Sequence, residues 1–330
     1  ACAKHRVTRF SRIVCAACGG MFGSVRETMI QSPLNYTGGK YRLLPQILPL
    51  FPEQIGTFVD LFCGGCNVGI NVAAGTHIYN DSCTPLINLY SVMQRLDSQD
   101  FINRLEHVIG SYGLSDVKRK GYKFYGCCSS GGLSSYNREP FMNLRRDVNQ
   151  AEVQDDDYYI KLYTLIIYAF NNQIRFNRKG DFNLPPGKRD FNQNMYNKLS
   201  DFLGLLHTQK AVFSNKNFNE FDFDQLVPGD FVYADPPYLI TCAAYNEKRG
   251  WTEEDERDLL DLLDSLSRRE IRFALSNVIE SKGRRNDILE KWVIDRPDYR
   301  QIDLNYTYHN ANYHRKNRKS ATREVLIVNY

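Results

Sequence analysis

Phe231-Val232-Tyr233-Ala234-Asp235-Pro236-Pro237-Tyr238 is the stretch from which the architecture can be read. Four apolar residues without alternation read as a strand buried on both faces. Two prolines then remove two amide donors and fix the backbone, so strand pairing must stop there. Working outward, comparable apolar runs occupy Thr57 to Phe62, His77 to Tyr79, Ala211 to Ser214, Ile271 to Leu275 and Val325 to Val328. The clearest helix follows Trp251. Thr252 caps it, Glu253, Glu254 and Asp255 suit its positive end, and Leu259, Leu262, Leu263 and Leu266 form one apolar stripe. Short buried strands alternating with helices predict an α/β sheet covered on both faces.

The chain has 330 residues, 42% of them hydrophobic, enough for one large domain with an insertion or for two domains. No apolar run approaches bilayer-spanning length, and charges throughout the first thirty residues speak against a signal peptide, so the expected location is cytoplasmic. A net charge of +4 suits a nucleic-acid partner without requiring one. The 9 cysteines do not form a disulfide-framework pattern: Cys2, Cys15 and Cys18 crowd the N-terminus, while Cys63, Cys66, Cys83 and Cys242 sit in strand-like or motif-like settings. From about Thr84 to Met195 the character changes. Tyrosines, asparagines and basic residues become dense, Gly and Ser cluster near Ser129 to Ser135, and Asp155 to Asp157 open a further helix. An insertion of this kind in an α/β sheet usually carries the partner-specific surface.

Ligands of open α/β sheets bind beyond the carboxyl ends of the strands, which is where Asp235 to Tyr238 fall. A carboxylate beside a free carbonyl can accept two hydrogen bonds from one exocyclic amine. That draws the nitrogen lone pair out of conjugation and aims it at an electrophilic methyl, while the tyrosine stacks on an extruded base. A proline-rich turn closing a strand fits the same four residues. A second signal, Phe58-Val59-Asp60-Leu61-Phe62-Cys63-Gly64-Gly65, is a strand entering a glycine turn, where a cofactor can approach the backbone. Asn80-Asp81, one strand later, places an acid where a ribose would offer its hydroxyls, and an Asx turn fits equally. Tyr36-Thr37-Gly38-Gly39-Lys40 precedes the first strand and also reads as a loop with a solvated charge.

Together, and in this order, the motifs resemble the Dam family of adenine-N6 DNA methyltransferases, most closely its phage-encoded members. The likeness runs from about Leu34 to Tyr330 and takes in Asp230 to Thr241 and Phe273-Ala274-Leu275-Ser276-Asn277. It implies a Rossmann-like class I methyltransferase sheet with an inserted helical and hairpin target-recognition domain. Residues 32–83 and 196–330 would form the catalytic domain that binds S-adenosyl-L-methionine, and 84–195 the recognition domain. It also implies that Tyr36, Lys40, Asp60, Phe62, Asp81 and Asp235 meet the cofactor, and that Asp235, Pro236, Pro237, Tyr238 and Lys40 serve the chemistry on double-stranded DNA.

Within the insertion, Tyr168 to Arg189 reads as a helix end running into a hairpin with Gly180 at its turn. By the resemblance, Phe170 and Asn171 fill the gap left by a flipped base, and Arg175 and Arg189 fall on guanine-reading positions. Gln173 departs from the apolar residue that relatives set against a thymine methyl. The expected target is GATC, with another four-base palindrome as the alternative. Arg315, Lys316, Arg318, Lys319 and Arg323 lie between two expected strands, Asn305 to Tyr308 and Glu324 to Val328, and suit phosphate contact. Residues 1–31 fall outside the resemblance. Their Cys2-x-x-His5 and Cys15-x-x-Cys18 pairs have spacing close to a small zinc ribbon and suit one structural zinc. Three rival readings fit these residues less well. Glutamine-methylating enzymes usually open the motif with asparagine, and cytosine-N4 enzymes with serine. A non-catalytic DNA-binding protein would not need both Asp235 and Lys40.

Overall fold

The computed structural model describes residues 29–128, 130–241, 250–305 and 322–330. Among them, eight strands form one sheet: β1 (Thr57–Asp60), β2 (Thr76–Asn80), β3 (Ala211–Ser214), β4 (Phe231–Ala234), β5 (Arg272–Ser281), β6 (Arg284–Arg285), β7 (Arg300–Leu304) and β8 (Arg323–Val328). Their order is β3-β2-β1-β4-β5-β8-β7, with β6 paired to β5. The first five in that order are parallel, and β8 runs antiparallel to both β5 and β7. This mixed α/β sheet is compatible with a class I methyltransferase fold.

Alternation along each strand feeds two cores, because successive side chains point to opposite faces. Val59, Val232, Phe273, Leu275, Val325 and Ile327 pack with α8 (Glu253–Arg268) and α9 (Asp287–Ile294) on one face. Phe58, Phe231, Tyr233, Ala274, Leu326 and Val328 pack on the other with the short α1 (Leu44–Ile47). The cap expected at Thr252 is present: its hydroxyl accepts from the Asp255 amide, and the Asp255 carboxylate accepts from the Thr252 amide.

Some strand limits differ from expectation. β1 stops at Asp60, where the chain turns into the glycine loop, although the Leu61 amide still reaches the Tyr233 carbonyl. β5 runs on to Ser281, six residues beyond the apolar run, because β8 pairs along it. The edge strand sits at Arg300–Leu304 instead of Asn305 to Tyr308; Asn305 lies outside it, and Tyr306 onward falls beyond the described residues. Arg-Gln-Ile-Asp-Leu carries only two apolar side chains, a weak signal typical of a half-exposed edge.

Between β2 and β3 lie α2 (Thr84–Arg95), α3 (Ser98–Tyr112), α4 (Val117–Phe124), α5 (Arg138–Asn149), α6 (Asp156–Tyr168) and α7 (Gln193–Leu206). Asp155 caps α6 by accepting from the Tyr158 amide. From Tyr158 to Tyr168 every side chain of α6 except Lys161 is buried, since α2, α3 and α5 surround it. The hairpin that follows is strapped to the end of α6: Phe170 donates to the Pro185 carbonyl and Gly187 to that of Tyr168. Only glycine fits at Gly187, since a Cβ there would lie 2.3 Å from the Ala169 carbonyl oxygen. Gly180 makes the turn at φ +90°.

Candidate active site

β1 and β4 are neighbours, and the chain leaves them toward opposite edges of the sheet. This is the switch point at which α/β proteins open a crevice. Asp235 stands one residue beyond β4, and the two following prolines hold it there, since they cannot extend the ladder. Lys40 comes from the N-terminal loop, where Gly39 donates to the Tyr36 carbonyl and Gly38 turns at φ +81°. Lys40 Nζ lies 2.7 Å from Asp235 Oδ2 and donates to the Gly38 carbonyl at 2.9 Å. The ammonium is 4% exposed and the carboxylate 18%. Burial pulls the lysine pKa down, but the two carboxylates beside it win and leave it raised. Asp235 is shifted upward: burial outweighs the pull of Lys40.

Tyr238 closes the cluster. Its hydroxyl lies 3.0 Å from Asp235 Oδ1 and 2.9 Å from Glu324 Oε1, and Lys40 Nζ sits 5.0 Å from its ring centroid. Glu324 is also 3.5 Å from Lys40 Nζ and was not singled out in the sequence. It is the second residue of β8, whose antiparallel course brings its first residues level with the carboxyl ends of the parallel strands. Only pairing information reveals this.

The glycine loop is packed against Tyr36. A Cβ at Gly64, which turns at φ +44°, would lie 2.9 Å from that ring. Asp81 ties the loop to β2 by accepting from the Gly64 amide at 3.0 Å and the Cys83 amide at 2.8 Å. Asp60 is buried, accepts from the Gly69 amide at 3.2 Å, and has its carboxyl pushed up to about 8, chiefly by burial. Phe62 meets Phe218 and Trp251, with ring centroids 5.6 and 5.7 Å away. Trp251 donates to the buried Glu256, which also accepts from Asn277 and Asn286. Phe218 and Trp251 were missed as site residues. Phe218 is one of three closely spaced phenylalanines and Trp251 a single aromatic beside a helix cap, signals too common to select from sequence.

One cleft of about 3030 Å³ joins these groups to the hairpin. Ligand pockets for small molecules run to roughly 300–1,000 Å³, so this one has room for a macromolecular strand as well. Tyr36, Lys40, Asp60, Phe62, Asp81, Asp235 and Tyr238 line it, as do Asn171, Gln173, Arg175 and Arg189. Arg175 is held by Asn183 at 2.8 Å, Asn171 turns at φ +57°, and Phe170 is 52% exposed beside it. Arg323 is engaged with Asp303 on β7. Arg315, Lys316, Arg318 and Lys319 lie outside the described residues, as do Cys2, His5, Cys15 and Cys18. No group of three His, Cys, Asp or Glu side chains among the described residues could hold a metal ion, and no described helix is long and apolar enough to cross a membrane.

Sheet order and site define a protein with a methyltransferase-like α/β core. Residues 36–322 match the model of the D12 class N6 adenine-specific DNA methyltransferases, and the chain belongs to that family. Modification methylase StsI of Streptococcus sanguinis is 41% identical over 93% of this chain and 44% of its own length. Type II methyltransferase M.FokI of Planomicrobium okeanokoites is 39% identical over 92% and 43%. A DNA adenine methylase of Vibrio cholerae is 26% identical over 74% and 80%. The expected kinship with Dam is therefore corrected in part: the likeness is stronger to type II modification methylases. The chain spans less than half the length of those two relatives.

Proposed function

We propose that this chain transfers a methyl group from S-adenosylmethionine to N6 of an adenine flipped out of duplex DNA. The observation that carries the reading is the buried Lys40–Asp235 pair at the carboxyl end of β4, opening into a cleft shared with Arg175 and Arg189. The residues present fit the cofactor. Asp60 is a buried and Asp81 a half-buried carboxylate, and desolvation raises the pKa of each, so a cationic ligand would be welcome beside them. The Phe62–Phe218–Trp251 trio offers flat apolar faces for a purine. The bound cofactor supplies an electrophilic methyl on a cationic sulfur.

Asp235 Oδ1 and the Pro236 carbonyl accept from the target amine, and Lys40 keeps the carboxylate ionised and aligned. Tyr238 offers a ring against the extruded base. Phe170 and Asn171 fill the gap in the duplex, Arg175, Arg189 and Gln173 face base edges, and Arg315, Lys316 and Arg318 hold phosphates. Residues 84–195 act as the recognition domain. One zinc on Cys2, His5, Cys15 and Cys18 belongs to the same reading, and elemental analysis finding none in unchelated protein removes it.

The target GATC rests on the Dam resemblance of Arg175 and Arg189. A second reading, another short sequence, is favoured by the greater likeness to modification methylases. Base-resolved mapping of adenine methylation in a methylation-free host expressing the chain decides between them. No modified adenine, with folded protein and cofactor supplied, overturns the activity itself.

A further inference from the structure

The Tyr238 hydroxyl has one hydrogen and two carboxylates within reach, at 3.0 Å from Asp235 Oδ1 and 2.9 Å from Glu324 Oε1. A phenol donates once, and an ionised carboxylate only accepts. Both contacts are hydrogen bonds only if one carboxylate is protonated; otherwise two acceptors face each other. Lys40 adds no donor between them. Its ammonium serves Asp235 Oδ2, the Gly38 carbonyl and, at 3.5 Å, Glu324. The cluster of one cation and two carboxylates carries net charge −1, with Lys40 4% and Glu324 12% exposed. A buried net charge is unfavourable. By hydrogen bonds and by charge, the cluster is short of one proton.

We infer that Asp235, Tyr238 and Glu324 form a relay that carries the proton of the methylated amine out of the site, with Glu324 as its last holder. The inference rests on the reading of Asp235 as acceptor of the target amine. Once the target nitrogen has gained a fourth bond, one of its N–H bonds breaks and the electron pair stays on nitrogen. The proton passes to Asp235 Oδ1 and on to the Tyr238 oxygen, while the hydrogen of Tyr238 moves to Glu324 Oε1. Asp235 is again ionised against Lys40, Tyr238 again carries one hydrogen, and Glu324 is neutral. The route is needed because the base that Asp235 holds would cover that carboxylate, whereas Glu324, joined to it through the Tyr238 hydroxyl, lines the cleft together with Thr322.

Around Glu324 the ionisable neighbours are Lys40, Asp235, Tyr238 and Tyr233. Its partners on the flanking strands, Val278 and Leu304, are apolar, and Arg323 is engaged with Asp303. Lys282 and Arg284 line the same cleft. Burial raises the Asp235 carboxyl, and Glu324 adds to that rise, which eases proton uptake.

Glu324→Gln tests the relay, since the amide can still accept from Tyr238 but cannot take a proton. General acid–base assistance is typically worth about 10²–10⁴-fold. Single-turnover methylation should slow by about 10²-fold or more, with the shape of its pH profile changed from the parent's. Glu324→Asp should keep the parent's profile. Independently of activity, the infrared band of protonated carboxyls that grows as the free protein is acidified should be smaller by one carboxyl in Glu324→Gln than in the parent. Turnover within threefold of the parent with the same pH profile overturns the relay. If Glu324→Gln does not fold, a Glu324→Asp profile that departs from the parent's overturns it equally. Asp235→Asn separates the two ideas. If it is active, the reading of Asp235 fails; if it is inert while Glu324→Gln behaves as the parent, only the relay falls.

Discussion

The carboxyl end of the sheet and the hairpin across the cleft hold polar side chains in place by different means. At the sheet end, carboxylates are fixed by strand ends and by each other: Asp81 spans two backbone amides, and Asp235 is pinned between Lys40 and Tyr238. The hairpin has no regular ladder, only isolated bridges at Ala169–Pro186 and Phe176–Phe182. Its shape is borrowed from α6 and from Asp190, which is buried and accepts from the Val117 amide at 2.8 Å and the Ser115 hydroxyl at 3.3 Å. Ser115 is held in turn by Asn137, and its carbonyl by the Tyr168 hydroxyl. On the proposed reading, chemistry is built on rigid elements, while the surface that would face DNA is a loop anchored at its two ends. Changes at the sheet end should therefore abolish turnover, and changes in the hairpin should redirect it.

The largest effect is expected from Asp235→Ala, which removes the amine acceptor and leaves Lys40 facing Glu324 alone. Methyl transfer should fall by at least about 10²-fold while the melting transition is retained. Turnover within tenfold of the parent breaks the proposed mechanism. Next comes Arg189→Ala, whose single-base discrimination should relax by about 1–3 kcal/mol if the arginine pairs with a guanine. Competition between substrates differing at one base pair measures it, and unchanged preference shows that the hairpin reads another register. Trp251→Ala should weaken cofactor binding by several-fold through loss of an aromatic face, with little change in duplex affinity. Calorimetry with the cofactor alone checks this, and equal affinity removes Trp251 from the site.

The smallest effect concerns Asp190, which lies next to Arg189. Burial raises its carboxyl from 3.8 to about 6. Between those values the folded chain binds more protons than the unfolded one, so this residue's contribution to stability falls as pH rises from about 4 to 6 and then levels. Asp190→Asn should remove that slope and change the melting temperature above pH 6 by only a few degrees. A melting curve with the parent's full slope would show that Asp190 does not titrate in this range.

Much of the fold was legible because buried parallel strands announce themselves as short apolar runs. The sequence by itself determined β4 and its proline stop, the capped α8 with its leucine stripe, and the α6 start at Asp155. It also carried the motifs around Lys40, Asp60, Asp81 and Asp235, since each couples a strand end or glycine turn to a polar group. Only the tertiary structure decided that Glu324 belongs with them. In the sequence it is a charged residue opening a strand, 89 positions after Asp235. Pairing of Val278 with Glu324 across antiparallel strands sets it beside Tyr238. The same holds for Phe218 and Trp251, which come from separate segments to meet Phe62. Local patterns record which way a side chain faces within its own element. Contacts between loop ends depend on strand order and register, and those are set by the packing of the whole sheet.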